Sequence, residues 1–318
     1  MAIFQEYKAI YNNKIKESFE REIKVYPTLY KEKILIPFSH NCQEKCNICS
    51  HTCYKSLGKL MRENLVFYCF GEQEIVEKVK SGLFSNLTTA SLYAYKNRLP
   101  KRNELQDGLQ GEVLFDLLIQ NILPNANKLA VRTILRQNDN NEIKGYDLTY
   151  FTNENGKITL WLGQAKLGDK AYCKKGISDD LKNKFNKDYL SNQIYFISEK
   201  QSGLTQEGIE LTNIINKLNM LTIEKSNQER ANAFLNFLVD KGITVNIPCL
   251  LAYGEGSIYG NINDVEKQIK KESEVIRKYF TLHRYEFDGF NPNLIFFVFP
   301  IEDLHGLRGS EGFYDGLR

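Results

Sequence analysis

The sequence has no long apolar run. Its longest lies near Leu294–Phe299, far short of the roughly 20 residues a membrane helix needs. The opening Met-Ala-Ile-Phe-Gln-Glu-Tyr-Lys carries no apolar stretch behind a basic region, so no secretory signal is read and a cytoplasmic location is expected. There is no internal repeat and no low-complexity segment. Strong charge of one sign is missing too. A net charge of +3 neither demands nor forbids nucleic acid, because a local basic groove matters more than the sum. Prolines are few, 7 in 318 residues, and the remaining composition, 42% hydrophobic and 25% charged, is ordinary for a soluble globular chain. The length allows a large core and two units.

The pattern along the chain is that of an α/β protein. Residues 1–33 read as helix, with apolar residues at helical spacing among Glu and Lys, and Ile34–Phe38 as a short strand. Residues 72–98 read as helix, closed by Pro100. Gln110–Leu123 is densely apolar and long enough for a buried helix, stopped by Pro124. Glu112 sits one turn inside it. Strands are expected at Lys128–Leu135, Gly145–Thr152 and Lys157–Leu167, then a lysine-rich helix over Ile177–Leu190 and a strand at Ile194–Ser198. Further helices are expected at 205–217, 226–241 and Asp264–Tyr279, and strands at Ile247–Tyr253 and Leu294–Ile301. The expected division is a helical, Cys-rich region over 1–70, an α/β unit over 71–305 with its motif core at about 104–200, and a loose Gly-rich tail over 306–318.

One turn aligns the chemistry. Asn155-Gly156 between two strand-like runs signals a two-residue type I′ hairpin. That fixes the register: Glu154 faces Lys157, Tyr150 faces Trp161, Asp147 faces Gln164 and Gly145 faces Lys166. Gln164 and Lys166 share one strand face. Paired residues have Cβ atoms roughly 4.5–5.5 Å apart, so Asp147 and Gln164 could hold one metal ion. Gly145 would leave room for Lys166 to lean over it. Phosphodiester cleavage needs an activated water and a neutralised phosphate. A hard cation such as Mg²⁺ supplies both and prefers oxygen ligands. Glu112 and Asp147 offer carboxylates, Gln164 an amide oxygen, and Lys166 a charge for the phosphate or the water. Asp, Gln and Lys on a hairpin are more often its wet face. It is the combination with a Glu in an apolar helix that carries the signal.

These residues, Gly111-Glu112, Gly145-Tyr146-Asp147 and Leu160-Trp161-Leu162-Gly163-Gln164-Ala165-Lys166, resemble the PD-(D/E)xK nucleases. More narrowly they resemble the HamA family, the nuclease component of the Hachiman anti-phage defence system, best over residues 70–200. The resemblance implies a mixed-sheet core flanked by helices, Mg²⁺- (or Mn²⁺-) dependent cleavage of DNA, and a helicase partner, HamB, that restrains the nuclease. Glu112 matches the helix acid, Asp147 the motif Asp, Gln164 the Asp/Glu position and Lys166 the motif Lys. Gln164 departs from the usual acid, so Gln164→Glu should lower the Mg²⁺ concentration needed.

Cys42, Cys46, Cys49 and Cys53 lie within twelve residues, flanked by His40 and His51. In a cytosolic protein such a cluster suggests a metal, Zn²⁺ by default, more than disulfides. As a helix the four would form a stripe about 16 Å long, too spread for one ion. A site would need a loop, or a ligand such as Cys69; the alternative is a buried stripe of small apolar side chains. The triplet Cys42, Cys46, Cys49 also resembles that of radical-SAM iron–sulfur enzymes. Those need a long run of alternating strands and helices directly afterwards, which this chain lacks. Cys173 and Cys249 read as structural.

Lys157–Lys200 holds nine lysines against five acidic residues. Lys170, Lys174 and Lys175 are candidates for gripping DNA phosphates, a contact that gives affinity without sequence choice, although a charge run is more often a solvated face. The leading reading is a nuclease in a two-protein defence complex. The alternative is a catalytically weak DNA-binding or regulatory subunit of a helicase complex. An iron–sulfur oxidoreductase, a third reading, would betray itself by colour.

Overall fold

The computed structural model describes residues 54–99, 108–123, 125–135, 145–259, 264–283 and 285–317, and the two strands at 19–24 and 29–34. The described strands form one mixed sheet: β1 (Phe19–Lys24), β2 (Leu29–Ile34), β3 (Asn127–Lys128), β4 (Leu148–Glu154), β5 (Lys157–Gly168), β6 (Thr244–Gly254) and β7 (Asn293–Ile301), in the order β1-β2-β7-β6-β5-β4-β3. β2, β7, β6 and β5 run parallel, while β1, β4 and β3 each pair antiparallel to a neighbour. β6 and β7 are buried almost throughout, as parallel strands covered on both faces must be.

The β4–β5 hairpin has the register that its turn dictates. Asn155 and Gly156 both take positive φ, 54° and 83°, as a type I′ turn requires. Glu154 pairs with Lys157 and Tyr150 with Trp161, and the ladder runs to Leu148–Gly163. On the other edge of β5, pairing with β6 lapses at Leu162 and Gly163 and resumes at Gln164–Cys249. Pro248 lies opposite that lapse and has no amide proton to give.

The helices are α1 (Tyr54–Cys69), α2 (Glu72–Lys80), α3 (Leu87–Arg98), α4 (Leu109–Ile122), α5 (Lys170–Asn183), α6 (Lys187–Ser198), α7 (Gln206–Leu221), α8 (Asn227–Asp240), α9 (Val265–Thr281) and α10 (Leu304–Arg308). Alternation along β5 sorts them between two cores. Ala165 and Leu167 face one core, with Leu57, Met61 and Phe115 of α1 and α4. Leu160 and Leu162 face the other, with Ile177, Ile194, Leu211 and Phe234 of α5 to α8. Gly163 sets the approach of α4: a Cβ there would lie 2.6 Å from the Phe115 ring and 2.8 Å from the Pro248 carbonyl oxygen. Only a residue without one lets this helix, and Glu112 with it, lie so low on β5.

Several elements differ from their sequence pattern. The helix read over 1–33 meets two strands, β1 and β2, paired antiparallel. The stretch 72–98 is two helices, parted by a turn with Gly82 at φ 76°. Only Asn127 and Lys128 of the strand read at Lys128–Leu135 are extended; Arg132–Leu135 is a 3₁₀ turn. Ile194–Ser198 is helix rather than strand, the end of α6, whose N-cap Asn186 accepts from the Tyr189 N–H at 2.8 Å. A short apolar aromatic run cannot distinguish the two.

The tail expected to be loose is packed. Leu307, Phe313, Tyr314 and Leu317 are buried in the same core as Leu57–Phe70, Arg62 of α1 donates to the Gly312 carbonyl, and the Phe313 N–H reaches Leu307 O at 2.8 Å. The boundary drawn at 70/71 therefore coincides with no break in this core. Pro100, Pro124 and the cluster Cys42, Cys46, Cys49 and Cys53 lie outside the described residues. Cys69, Cys173 and Cys249 are buried and form no disulfide. No described helix is long and apolar enough to cross a membrane.

Candidate active site

Glu112 stands in the first turn of α4, where a carboxylate is favoured by the helix dipole. Gly163 and the apolar remainder of α4 press this turn onto the sheet, leaving Glu112 only 6% exposed. Asp147 precedes β4. Its N–H continues the hairpin to Gly163 O at 2.9 Å and its Oδ2 accepts from the Ala165 N–H at 2.9 Å. The carboxylate is thus fixed against β5 by the backbone itself.

A residue not singled out in the sequence joins the two acids. Arg132 donates from Nε to Glu112 Oε2 at 3.0 Å, from Nη2 to Glu112 Oε1 at 3.3 Å and to Asp147 Oδ1 at 3.1 Å, and from Nη1 to the Tyr146 carbonyl at 2.7 Å. Tyr68 adds its hydroxyl to Glu112 Oε2. The segment carrying Arg132 is itself anchored. Buried Lys128 donates to the carbonyls of Phe67 and Phe70 at the end of α1, and Thr133 Oγ1 donates to Cys69 O at 2.7 Å. These bonds satisfy carbonyls that the helix end leaves without partners, and they tie the segment that carries Arg132 to the end of α1 that carries Tyr68.

Gln164 and Lys166 project together from β5 towards α5. Gln164 is fully buried; its Nε2 donates to Gly145 O at 3.2 Å and its Oε1 accepts from Lys184 Nζ at 2.9 Å. Lys166 Nζ pairs with Asp180 at 2.6 Å, and Lys184 Nζ pairs with the same carboxylate at 2.9 Å. Gly145 does not make the room for Lys166, because a Cβ there would meet Gln193 Oε1 at 2.9 Å. Gly176 of α5 makes it: a Cβ at that position would lie 2.8 Å from Lys166 Cε. Asp180 and Lys184 were legible only as a helical i, i+4 pair, and Arg132 only as the basic residue of a strand-like run.

Electrostatics assigns protonation states. Burial lifts the Asp147 carboxyl from its ordinary 3.8 to about 6; the Arg132 charge opposes the rise and Glu112 adds to it. Burial disfavours the Arg132 and Lys166 cations, but the neighbouring carboxylates outweigh it and both pKa values stand above the ordinary ones. Lys166 is thus an ammonium at neutral pH, suited to donating hydrogen bonds and balancing negative charge rather than accepting a proton. Burial raises the Cys173 thiol to about 12 and pushes Cys249 up as well, which agrees with their structural reading.

The donor set suits a hard cation in one part and not in another. Glu112 and Asp147 already converge on a single cation, the Arg132 guanidinium, so a second cation of oxygen preference could use the same pair. Gln164 Oε1, by contrast, is turned to Lys184. Among the described residues no three His, Cys, Asp or Glu side chains gather closely enough to hold a metal. The three candidate DNA lysines differ in setting. Lys170 is bound to Glu255 and Glu272 at 2.8 and 2.7 Å, Lys174 lies over the Tyr279 ring at 5.0 Å, and Lys175 is exposed.

No curated protein matches the chain closely enough to inform its reading. The family model of HamA matches residues 25–314, nearly the whole sequence, and the chain belongs to the HamA family.

Proposed function

We propose that this protein is a divalent-cation-dependent deoxyribonuclease, the cutting component of a Hachiman-type defence system acting with a helicase. Family membership supports the defence role. The observation that carries the nuclease reading is the convergence of Glu112 and Asp147 on one cationic group, beside a strand that presents Gln164 and Lys166.

Glu112 and Asp147 are the residues that would hold Mg²⁺ or Mn²⁺, with Gln164 as a neutral third donor once its oxygen is released by Lys184. When bound, the ion would lower the pKa of a water and neutralise the scissile phosphate. Asp147, pinned by the Ala165 N–H, sets the position of the pair. Lys166 keeps its ammonium through Asp180 and offers it to the charge that builds on the phosphate. Lys174 and Lys175 stand on α5 next to Gly176, which adjoins Lys166, and are the candidates for contacts to a DNA backbone.

The test is cleavage of plasmid DNA with Mg²⁺ by the wild type, Lys166→Ala and Asp147→Ala, with and without the helicase. Cutting that both substitutions abolish supports the enzyme and its site together. The commitment of Gln164 to Lys184 favours a second reading, a catalytically weak DNA-binding subunit. Retained DNA binding without cutting under any condition would select it.

A further inference from the structure

The acids proposed to hold a divalent ion already hold an arginine. Arg132 makes four hydrogen bonds there: three to Glu112 and Asp147 and one to the Tyr146 carbonyl. Its side chain is only 13% exposed, so these contacts are weakly screened by solvent. The guanidinium itself fills the position between the two carboxylates, at 3.0 and 3.3 Å from the Glu112 oxygens and 3.1 Å from Asp147 Oδ1. A small dication keeps several of its waters when it binds. It cannot sit between Glu112 and Asp147 while the guanidinium lies there.

Charge counting agrees. Glu112 and Asp147 share the Arg132 charge. Lys166 and Lys184 share Asp180 in a second ion-paired group, whose lysines act on Asp147 through space. The two groups together are three negative against three positive, balanced without any added ion. A dication entering a balanced site gains little attraction unless one internal cation leaves. Arg132 is the one that touches both acids. The anchors at Lys128 and Thr133 are made by those residues' own side chains, so the guanidinium can withdraw by side-chain rotation without breaking them.

We infer that Arg132 is an internal latch: its guanidinium occupies the cation seat between Glu112 and Asp147, and a divalent ion binds only by displacing it. This inference rests on the nuclease reading and deepens it, naming what keeps the site closed. It makes metal affinity adjustable. Any partner or DNA phosphate that offers Arg132 an alternative anion would favour metal loading by the affinity it gains for the free guanidinium.

The test is direct Mn²⁺ binding to the full chain, read by electron paramagnetic resonance of the free ion, without DNA and without turnover. Arg132→Gln should bind Mn²⁺ roughly tenfold more tightly than the wild type, within the usual coupling range. Arg132→Lys should fall between them, because one ammonium cannot fork across two carboxylates. The double variant Arg132→Gln, Asp147→Asn should lose the gain. Equal or weaker binding by Arg132→Gln, with wild-type binding that still depends on Asp147, overturns the latch and spares the metal site. Binding in no variant that depends on Asp147 overturns the metal site itself. Should Arg132→Gln not fold, as its thermal melt would report, Arg132→Lys decides: binding no tighter than wild type overturns the latch.

Discussion

Lys184 donates a hydrogen bond to the amide oxygen of Gln164 at 2.9 Å, while the same ammonium pairs with Asp180. The departure from the usual acid at position 164 is therefore matched by a cation standing beside it. A carboxylate placed there would find Lys184 first.

This changes what Gln164→Glu should do. On the sequence alone the new charge would go to the metal. In this setting Lys184 takes a share of it, and the new carboxylate also loses the donor that Nε2 provides to Gly145 O. The Mg²⁺ requirement of plasmid cleavage should fall only slightly in Gln164→Glu and clearly in Gln164→Glu combined with Lys184→Gln. If the double variant needs as much Mg²⁺ as the wild type, position 164 does not face the ion.

Asp147 sets function against stability. Its pKa in the fold, about 6, is above the ordinary 3.8 because of burial. A raised acid favours the fold when protonated: that contribution is whole below pH 3.8 and is lost as pH climbs through about 6. At about 1.4 kcal/mol per unit, ionisation costs the fold up to about 3 kcal/mol at neutral pH. Asp147→Asn keeps an acceptor for the Ala165 N–H and cannot ionise. It should abolish cleavage yet be more stable than the wild type at pH 7.5, and its stability should be flatter between pH 4 and 6. Urea melts at several pH values check both. Lower stability of the variant at pH 7.5 would mean that its ion pair with Arg132 outweighs the cost of burial.

Gly176→Ala separates the position of Lys166 from the strength of the fold. Within α5, alanine should favour the helix by about 1 kcal/mol. Its Cβ, however, would lie 2.8 Å from Lys166 Cε and 3.1 Å from Cδ, so the lysine must take another path. The melting temperature should hold or rise while cleavage falls roughly tenfold, a loss of about 1.4 kcal/mol in transition-state stabilisation. Undiminished cleavage would show that the route of Lys166 past α5 is immaterial.

What was legible in the sequence was local. The hairpin followed from two residues, Asn155 and Gly156, and it placed Asp147 beside β5 because register propagates through a ladder without further information. Glu112 stood out as a charge in a greasy helix. Arg132 did not, because its partners are 15 and 20 positions away and meet it only through the packing of α4, the 3₁₀ turn and the hairpin. Asp180 and Lys184 were hidden among other charges of a lysine-rich segment. The strands β1 and β2 were masked by their charges: Phe-Glu-Arg-Glu-Ile-Lys and Leu-Tyr-Lys-Glu-Lys-Ile carry too few apolar residues for a clear period of two.

The C-terminal segment gives the last prediction, because its glycines suggested a loose tail while its aromatic residues are buried. Phe313 and Tyr314 pack edge to face at 4.9 Å, and Phe313 is fully buried. Removing such a side chain typically costs 3–5 kcal/mol. Phe313→Ala should therefore lower stability by about 3 kcal/mol although it lies far along the chain from every site residue. Gly58→Ala gives an independent reading. Helix propensity alone makes it favourable in α1, but its Cβ would lie 2.6 Å from the Gly312 carbonyl carbon and oxygen, which are backbone and cannot rotate away. It should destabilise the protein and expose the tail to limited proteolysis near Gly309–Gly312. If Gly58→Ala is neutral or stabilising and a chain ending at 305 melts like the wild type, the tail contributes nothing to the core it contacts.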